Sequence, residues 1–157
     1  VLTTRQPWAW LILQNQQPTS RKNIENRSWK LPEKYHDTPV LVHTSAKPLL
    51  NPQACIHELQ ARSFICDSIQ PHKDEATIAL AGHIVGVVRF SNCFFNKVFD
   101  FGEDAQHFVH SGSRWCDMDS KFWWQIAKAK AITPVPAKGR LSFWQFDYPH
   151  IAELEGF

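Results

Sequence analysis

The chain has no cysteines paired at redox or metal-binding spacing. Its four cysteines, Cys55, Cys66, Cys93 and Cys116, stand far apart, so a C-x-x-C motif is excluded and reduced thiols are expected. No apolar run approaches the ~20 residues that cross a bilayer, and no membrane partner is expected. A positively charged and then apolar leader is missing after Val1, which points to a cytoplasmic location. The G-x-S-x-G elbow of serine hydrolases and the G-x-x-x-x-G-K phosphate loop are both absent. There is neither a basic arm nor an acidic tail. A formal charge of +2 and a pI near 8.4 allow a local nucleic-acid patch without announcing one. Repeats, low-complexity tracts and linkers are also lacking. With 157 residues, the expectation is one domain, 1–157, large enough for a true core.

Aromatic residues are what the chain has in excess. They make up 13% of it, with seven tryptophans. Indoles bury large areas and also serve as stacking surfaces for bases. The stretch Thr3 to Trp29 holds two dense phrases. Arg5-Gln6-Pro7-Trp8-Ala9-Trp10-Leu11-Ile12-Leu13 reads as a buried helix with proline at its first position. Lys22-Asn23-Ile24-Glu25-Asn26-Arg27-Ser28-Trp29 brings an ammonium, a carboxylate and a guanidinium together beside an indole. Strand alternation from Ile24 to Trp29 puts Glu25, Arg27 and Trp29 on one face. Lys22 has the opposite parity and joins them only from a turn or bulge before the strand.

Further along, Val1 to Thr4 and Val40 to Ser45 read as strands, the latter with Leu41, His43 and Ser45 on one face. Asn51-Pro52 starts a helix expected to run to about Ile69. His83 to Cys93 contains Ile84-Val85-Gly86-Val87-Val88, a central strand buried on both faces. Its Gly86 suggests a bulge or a close backbone approach. Phe94 to Asp119 is long, irregular and rich in phenylalanine, as functional loops often are. Lys121 to Ile126 reads as a strand, Pro134 and Pro136 as an extended edge, Ala137-Lys138-Gly139 as a turn, and Arg140 to Phe146 as a final strand. Strands dominate, so the fold class is α+β, a curled sheet or small barrel.

His107-x-x-His110 with Cys116 fits no common zinc pattern and lacks a fourth ligand, so no metal is expected; no cofactor is expected either. The Lys22, Glu25, Arg27 cluster is either a surface ion-pair network of little energetic weight or a pocket floor. In the second reading, Arg27 fixes Glu25 as an anion, and Lys22 binds phosphate or carries a proton. His43 alone is more often a satisfied core histidine than a catalyst. Lys138 and Arg140, flanking a glycine, either clamp phosphate or form a solvated hairpin tip.

Five phrases, in register over nearly the whole chain, resemble ASCH domains of the PUA-like superfamily. They are Arg5-Gln6-Pro7-Trp8-Ala9; Ile24-Glu25-Asn26-Arg27-Ser28-Trp29; Val42-His43-Thr44-Ser45-Ala46-Lys47; Gly82-His83-Ile84-Val85-Gly86-Val87-Val88; and Pro134-Val135-Pro136-Ala137-Lys138-Gly139-Arg140-Leu141. The resemblance implies a small curled β-barrel of about six strands with two to three flanking helices, and a cleft lined by Lys-x-x-Glu-x-Arg. It also implies association with RNA or a nucleotide. Arg5, Trp8, Arg27, Trp29, His43, Ser45, Lys47, Lys138 and Arg140 are then the expected nucleic-acid contacts, with Trp8 and Trp29 stacking on bases. Some relatives are nucleases, and a smaller branch hydrolyses the acetyl amide of N4-acetylcytidine with a lysine, a threonine and a later carboxylate. Here Glu25 stands where that threonine would be, and Ile84 to Phe90 carries Arg89 but no carboxylate, so that mechanism is not carried over. A hydrolase of RNA or of a modified nucleoside, with Lys22 and Glu25 as its catalytic pair, remains the alternative. A protein-interaction module built on the Phe94 to Phe108 loop is the third reading.

Overall fold

The structure is a computed structural model that describes residues 1–13, 22–47, 76, 79–96, 113 and 115–157. The helix expected from Asn51 to Ile69 lies outside the described residues, as do His107, His110 and most of the phenylalanine-rich loop.

Five strands form one mixed sheet. They are β1 (Leu2–Thr4), β2 (Ile24–Arg27), β3 (Val40–Thr44), β4 (His83–Phe95) and β5 (Phe122–Pro136). Their order is β1-β3-β4-β5-β2. β1 runs parallel to β3, and the other pairs are antiparallel. Helix α1 (Trp8–Leu13) and two 3-10 turns, Glu33–Tyr35 and Ile151–Leu154, complete the regular elements among the described residues.

β4 is the axis of the sheet. Ile84, Val85, Val87 and Val88 are all buried, as their unbroken apolar run requires of a strand covered on both sides. On one face Val85, Val88 and Phe90 pack with Val40, Val42, Trp124 and Ile126 beneath Ala9, Ile12 and Leu13 of α1. On the other, Ile84 and Val87 join Ile132 and Tyr148 under Trp144 and Phe146. Gly86 is one of the places where α1 touches the sheet. A Cβ there would lie 2.3 Å from Leu13 Cδ2 and 2.9 Å from the Lys130 carbonyl oxygen. The register of β4 against β5 also shifts between Ile84 and Gly86. Both features expected of this glycine are present.

Several boundaries differ from expectation. α1 begins at Trp8, so Pro7 precedes the helix, and the Gln6 side chain accepts from the Trp10 amide at 3.1 Å to cap it. β2 ends at Arg27, which removes Trp29 from the strand and from its parity. Lys121 to Ile126 and the Pro134 to Pro136 segment are one strand of 15 residues. Nothing between Phe122 and Thr133 breaks it, and Pro134 falls where three residues of β5 bulge against Val85 of β4. Arg140 to Phe146 is not a strand. Its one β-bridge joins Phe143 to Leu2, with Ser142 just before it at φ 59°; its other contacts with the sheet are side-chain packing and isolated hydrogen bonds.

The sheet curls but does not close by a backbone ladder. β1 and β2 stand at opposite ends of the strand order, yet Thr3 and Thr4 of β1 hydrogen-bond to side chains of β2. Beyond Gln125, β5 pairs with β4 alone, and its other edge has no partner strand among the described residues. There the C-terminal segment covers the edge: the Thr133 amide donates to Glu153 Oε2 at 2.9 Å, and Tyr148 donates to the Thr133 carbonyl at 2.9 Å. Among the described residues, no helix is long and apolar enough to cross a membrane.

Candidate functional site

The seam between the two sheet edges is filled by charge. Lys22 sits just before β2, its amide bonded to the Leu11 carbonyl at the end of α1. From there its ammonium reaches Glu25 Oε2 at 3.0 Å and the Ile24 carbonyl. Lys22 thus joins Glu25 from the residues ahead of the strand, overcoming its strand parity. Arg27 approaches Glu25 from the other side, with Nη2 2.8 Å from Oε1. The same nitrogen donates to the Thr3 carbonyl at 2.9 Å, and the guanidinium lies 5.8 Å from the centre of the Trp124 ring. Thr4 adds a longer bond to Glu25 Oε1, at 3.4 Å.

Lys22 is 4% exposed and Glu25 5%. Burial by itself would push the Glu25 carboxyl upward, but the Lys22 and Arg27 charges and hydrogen bonds outweigh it and hold the group below its ordinary value. Glu25 is therefore a fixed anion at neutral pH, unsuited to donate a proton. Two cations around one carboxylate leave one positive charge in the seam. The Arg27 side chain is 20% exposed, so it is the member that meets solvent. Its Nε is buried and has no hydrogen-bond partner among the described residues.

Thr3 links this seam to a second group of expected residues. It is the register partner of His43 on β3, and its hydroxyl donates to the Arg140 carbonyl at 3.1 Å while accepting from Trp144 Nε1 at 3.2 Å. His43 is 0% exposed. Its Nε2 lies 3.0 Å from the Ala137 carbonyl, and a Cβ on Gly139 would fall 2.4 Å from its Cε1. The ring is pressed against the backbone of the Lys138-Gly139-Arg140 turn. Burial pushes its pKa down, the Ala137 bond opposes this weakly, and nearby His83 adds to the fall. A neutral His43 donating from Nε2 leaves Nδ1 without a partner. This histidine holds a loop in place and does not face solvent.

The remaining expected contacts divide. Lys138 and Arg140 are exposed on the turn, while Arg5 and Lys47 are exposed where the parallel pair β1 and β3 ends. Ser45 continues that pairing by donating its amide to the Thr4 carbonyl at 2.8 Å, and its hydroxyl oxygen accepts from the Lys47 amide. The two tryptophans are engaged elsewhere. Trp29 meets Trp124 edge-on at 4.6 Å and Phe143 at 5.6 Å. Trp8 packs against the cluster of Trp10, Leu11, Ile24, Trp115 and Trp123. Both are half-buried, each packed on part of its surface against a core cluster. Four residues of the site went unread in the sequence: Thr3, Thr4, Trp124 and Gly139 as the seat of His43. No local pattern marks a threonine that will face the opposite sheet edge.

Among the described residues no group of three histidine, cysteine, aspartate or glutamate side chains is disposed to hold a metal. Neither a protein-family model nor a curated protein matches the chain.

Proposed function

We propose that this chain is an ASCH domain of the PUA-like superfamily, a cytoplasmic module that binds RNA or a nucleotide beside the β1–β2 seam. Its curled sheet, with edges β1 and β2 bridged by side chains, is then the barrel of that superfamily closed by charge in place of a ladder. The observation that carries the binding reading is Arg27. One nitrogen of its guanidinium is held by Glu25 and the Thr3 carbonyl, and its side chain is 20% exposed. A fixed, forked cation suits a phosphate or a base edge. Glu25 and Lys22 act through it: Glu25 orients Arg27, and Lys22 compensates Glu25. Arg5, Lys47, Lys138 and Arg140 supply exposed cations for the phosphate backbone.

The hydrolase alternative is weakened by the same geometry. A general acid needs a raised pKa, and the carboxyl of Glu25 moves the other way. A panel of single-stranded RNA, duplex RNA, DNA and modified nucleosides tests the reading by fluorescence anisotropy and product analysis. Expected are binding without turnover, affinity falling as salt rises, and a loss of about tenfold or more in Arg27→Ala. Affinity that stays flat between low and moderate salt contradicts it. Turnover abolished by both Glu25→Gln and Lys22→Ala would promote the hydrolase instead.

A further inference from the structure

The turn from Lys138 to Ser142 is exposed throughout, yet it is anchored at both ends. At its start the Ala137 amide donates to the Gly82 carbonyl at 2.9 Å, its carbonyl meets His43, and Gly139 rests on the His43 ring. Toward its end Thr3 holds the Arg140 carbonyl. Phe143 then bridges to Leu2 and stacks on Tyr35 with ring centres 3.6 Å apart. Between these anchors Ser142 adopts φ 59°, a left-handed conformation that side-chain-bearing residues other than asparagine and aspartate seldom take. Leu141 is turned outward and is 96% exposed.

An isolated exposed leucine on a protein surface is ordinary. This one sits at the tip of a braced turn, within three residues of two exposed cations, Lys138 and Arg140. We infer that Leu141 is an apolar wedge for the faces of unpaired bases in single-stranded nucleic acid, with Lys138 and Arg140 on the flanking phosphates. Apolar side chains between bases, beside cations on the backbone, are a known solution for nucleic acids. Charge complementarity selects this occupant: a polymer that carries phosphates beside flat apolar faces matches a tip that carries two cations beside an exposed leucine. One leucine offers too little apolar area to anchor a membrane. Bracing matters because a tip ordered beforehand loses little conformational entropy on binding.

This inference rests on the nucleic-acid reading above, and the test separates the two. Wild type and Leu141→Ala are titrated with a single-stranded oligonucleotide and with an abasic backbone of the same length, over a range of salt. Leu141→Ala removes no packing, so its thermal melt should match wild type. Expected is a loss of about three- to tenfold on the base-bearing strand, an unchanged salt slope, and equal affinities of the two proteins for the abasic strand. Arg140→Ala should instead weaken both ligands and lower the salt slope by about 0.7. If wild type binds with a normal salt dependence but Leu141→Ala matches it on both strands, the wedge is overturned and the binding reading stands. If wild type binds neither strand, both fall. Sedimentation with anionic lipid vesicles, lost in Leu141→Ala while strand binding persists, would assign the tip to a membrane and also overturn the wedge.

Discussion

The seam and the tip are made of the same chemical types placed in opposite surroundings. In the seam, Lys22, Glu25 and Arg27 are taken from water and must satisfy one another, so their geometry is fixed and most of their donors are consumed. At the tip, Lys138 and Arg140 stay solvated, add little to stability and keep their donors for a partner. Burial thus turns cations from recognition groups into architecture. Arg27 is the seam's partly exposed member, with one nitrogen bound inside it and its side chain 20% exposed. Thr3 ties the seam to the tip through the Arg140 carbonyl.

The comparison breaks most sharply at Glu25. Glu25→Ala leaves two cations in the seam without their anion, and destabilisation of about 3–5 kcal/mol is expected in chemical denaturation. Lys138→Ala should stay within about 0.5 kcal/mol of wild type. Equal effects would mean that the seam is as solvated as the tip. Gly139→Ala forces the His43 ring or the turn to move, at a cost of about 1–3 kcal/mol. Because the displaced segment carries Lys138 and Arg140, this variant should also lose affinity for nucleic acid, which separates it from an ordinary core defect.

Acid probes both regions through their buried titrating groups. His43 is held below its ordinary 6.5, so its contribution to stability is complete above that value and is lost as pH falls beneath it. His83 and the turn cations Lys138 and Arg140, whose backbone presses on the ring, offer no carboxylate to neutralise a second proton there. Glu25 is held below 4.5, and its contribution disappears only as pH falls through the lowered value. Thermal melts should therefore show two stages of acid destabilisation, with the upper one missing in His43→Gln. A single stage below pH 4.5 in wild type would remove His43 from the account. Thr4→Val should have the smallest effect, about 0.5–1 kcal/mol, since one long hydrogen bond to Glu25 is lost with little change of shape.

Local patterns carried much of this molecule. The apolar run of β4 marked the sheet axis, Gly86 marked a bulge or a close approach, and the spacing of Lys22, Glu25 and Arg27 was enough to suspect an ion cluster. Contacts distant in sequence were not legible. Thr3 and Thr4 look like ordinary strand residues until the sheet curls and brings them against β2. Gly139 is needed because of a histidine 96 positions earlier, at His43. Trp29 lies in a charged phrase suggestive of ligand contact, and its edge-on contacts with Trp124 and Phe143 are likewise not announced by its sequence neighbours. The 15-residue length of β5 was hidden by its prolines, which mark a bulge near the strand's end and not a separate element.

The salt dependence of single-stranded RNA binding tests the central claim most directly, with wild type compared against the Lys138→Ala, Arg140→Ala double variant. Wild-type affinity is expected to fall linearly in log–log form, and the double variant should lose about 1.4 from the slope, roughly 0.7 for each phosphate contact removed. A slope near zero in wild type, or one unchanged in the double variant, would contradict the division between a buried seam that orients and an exposed tip that binds.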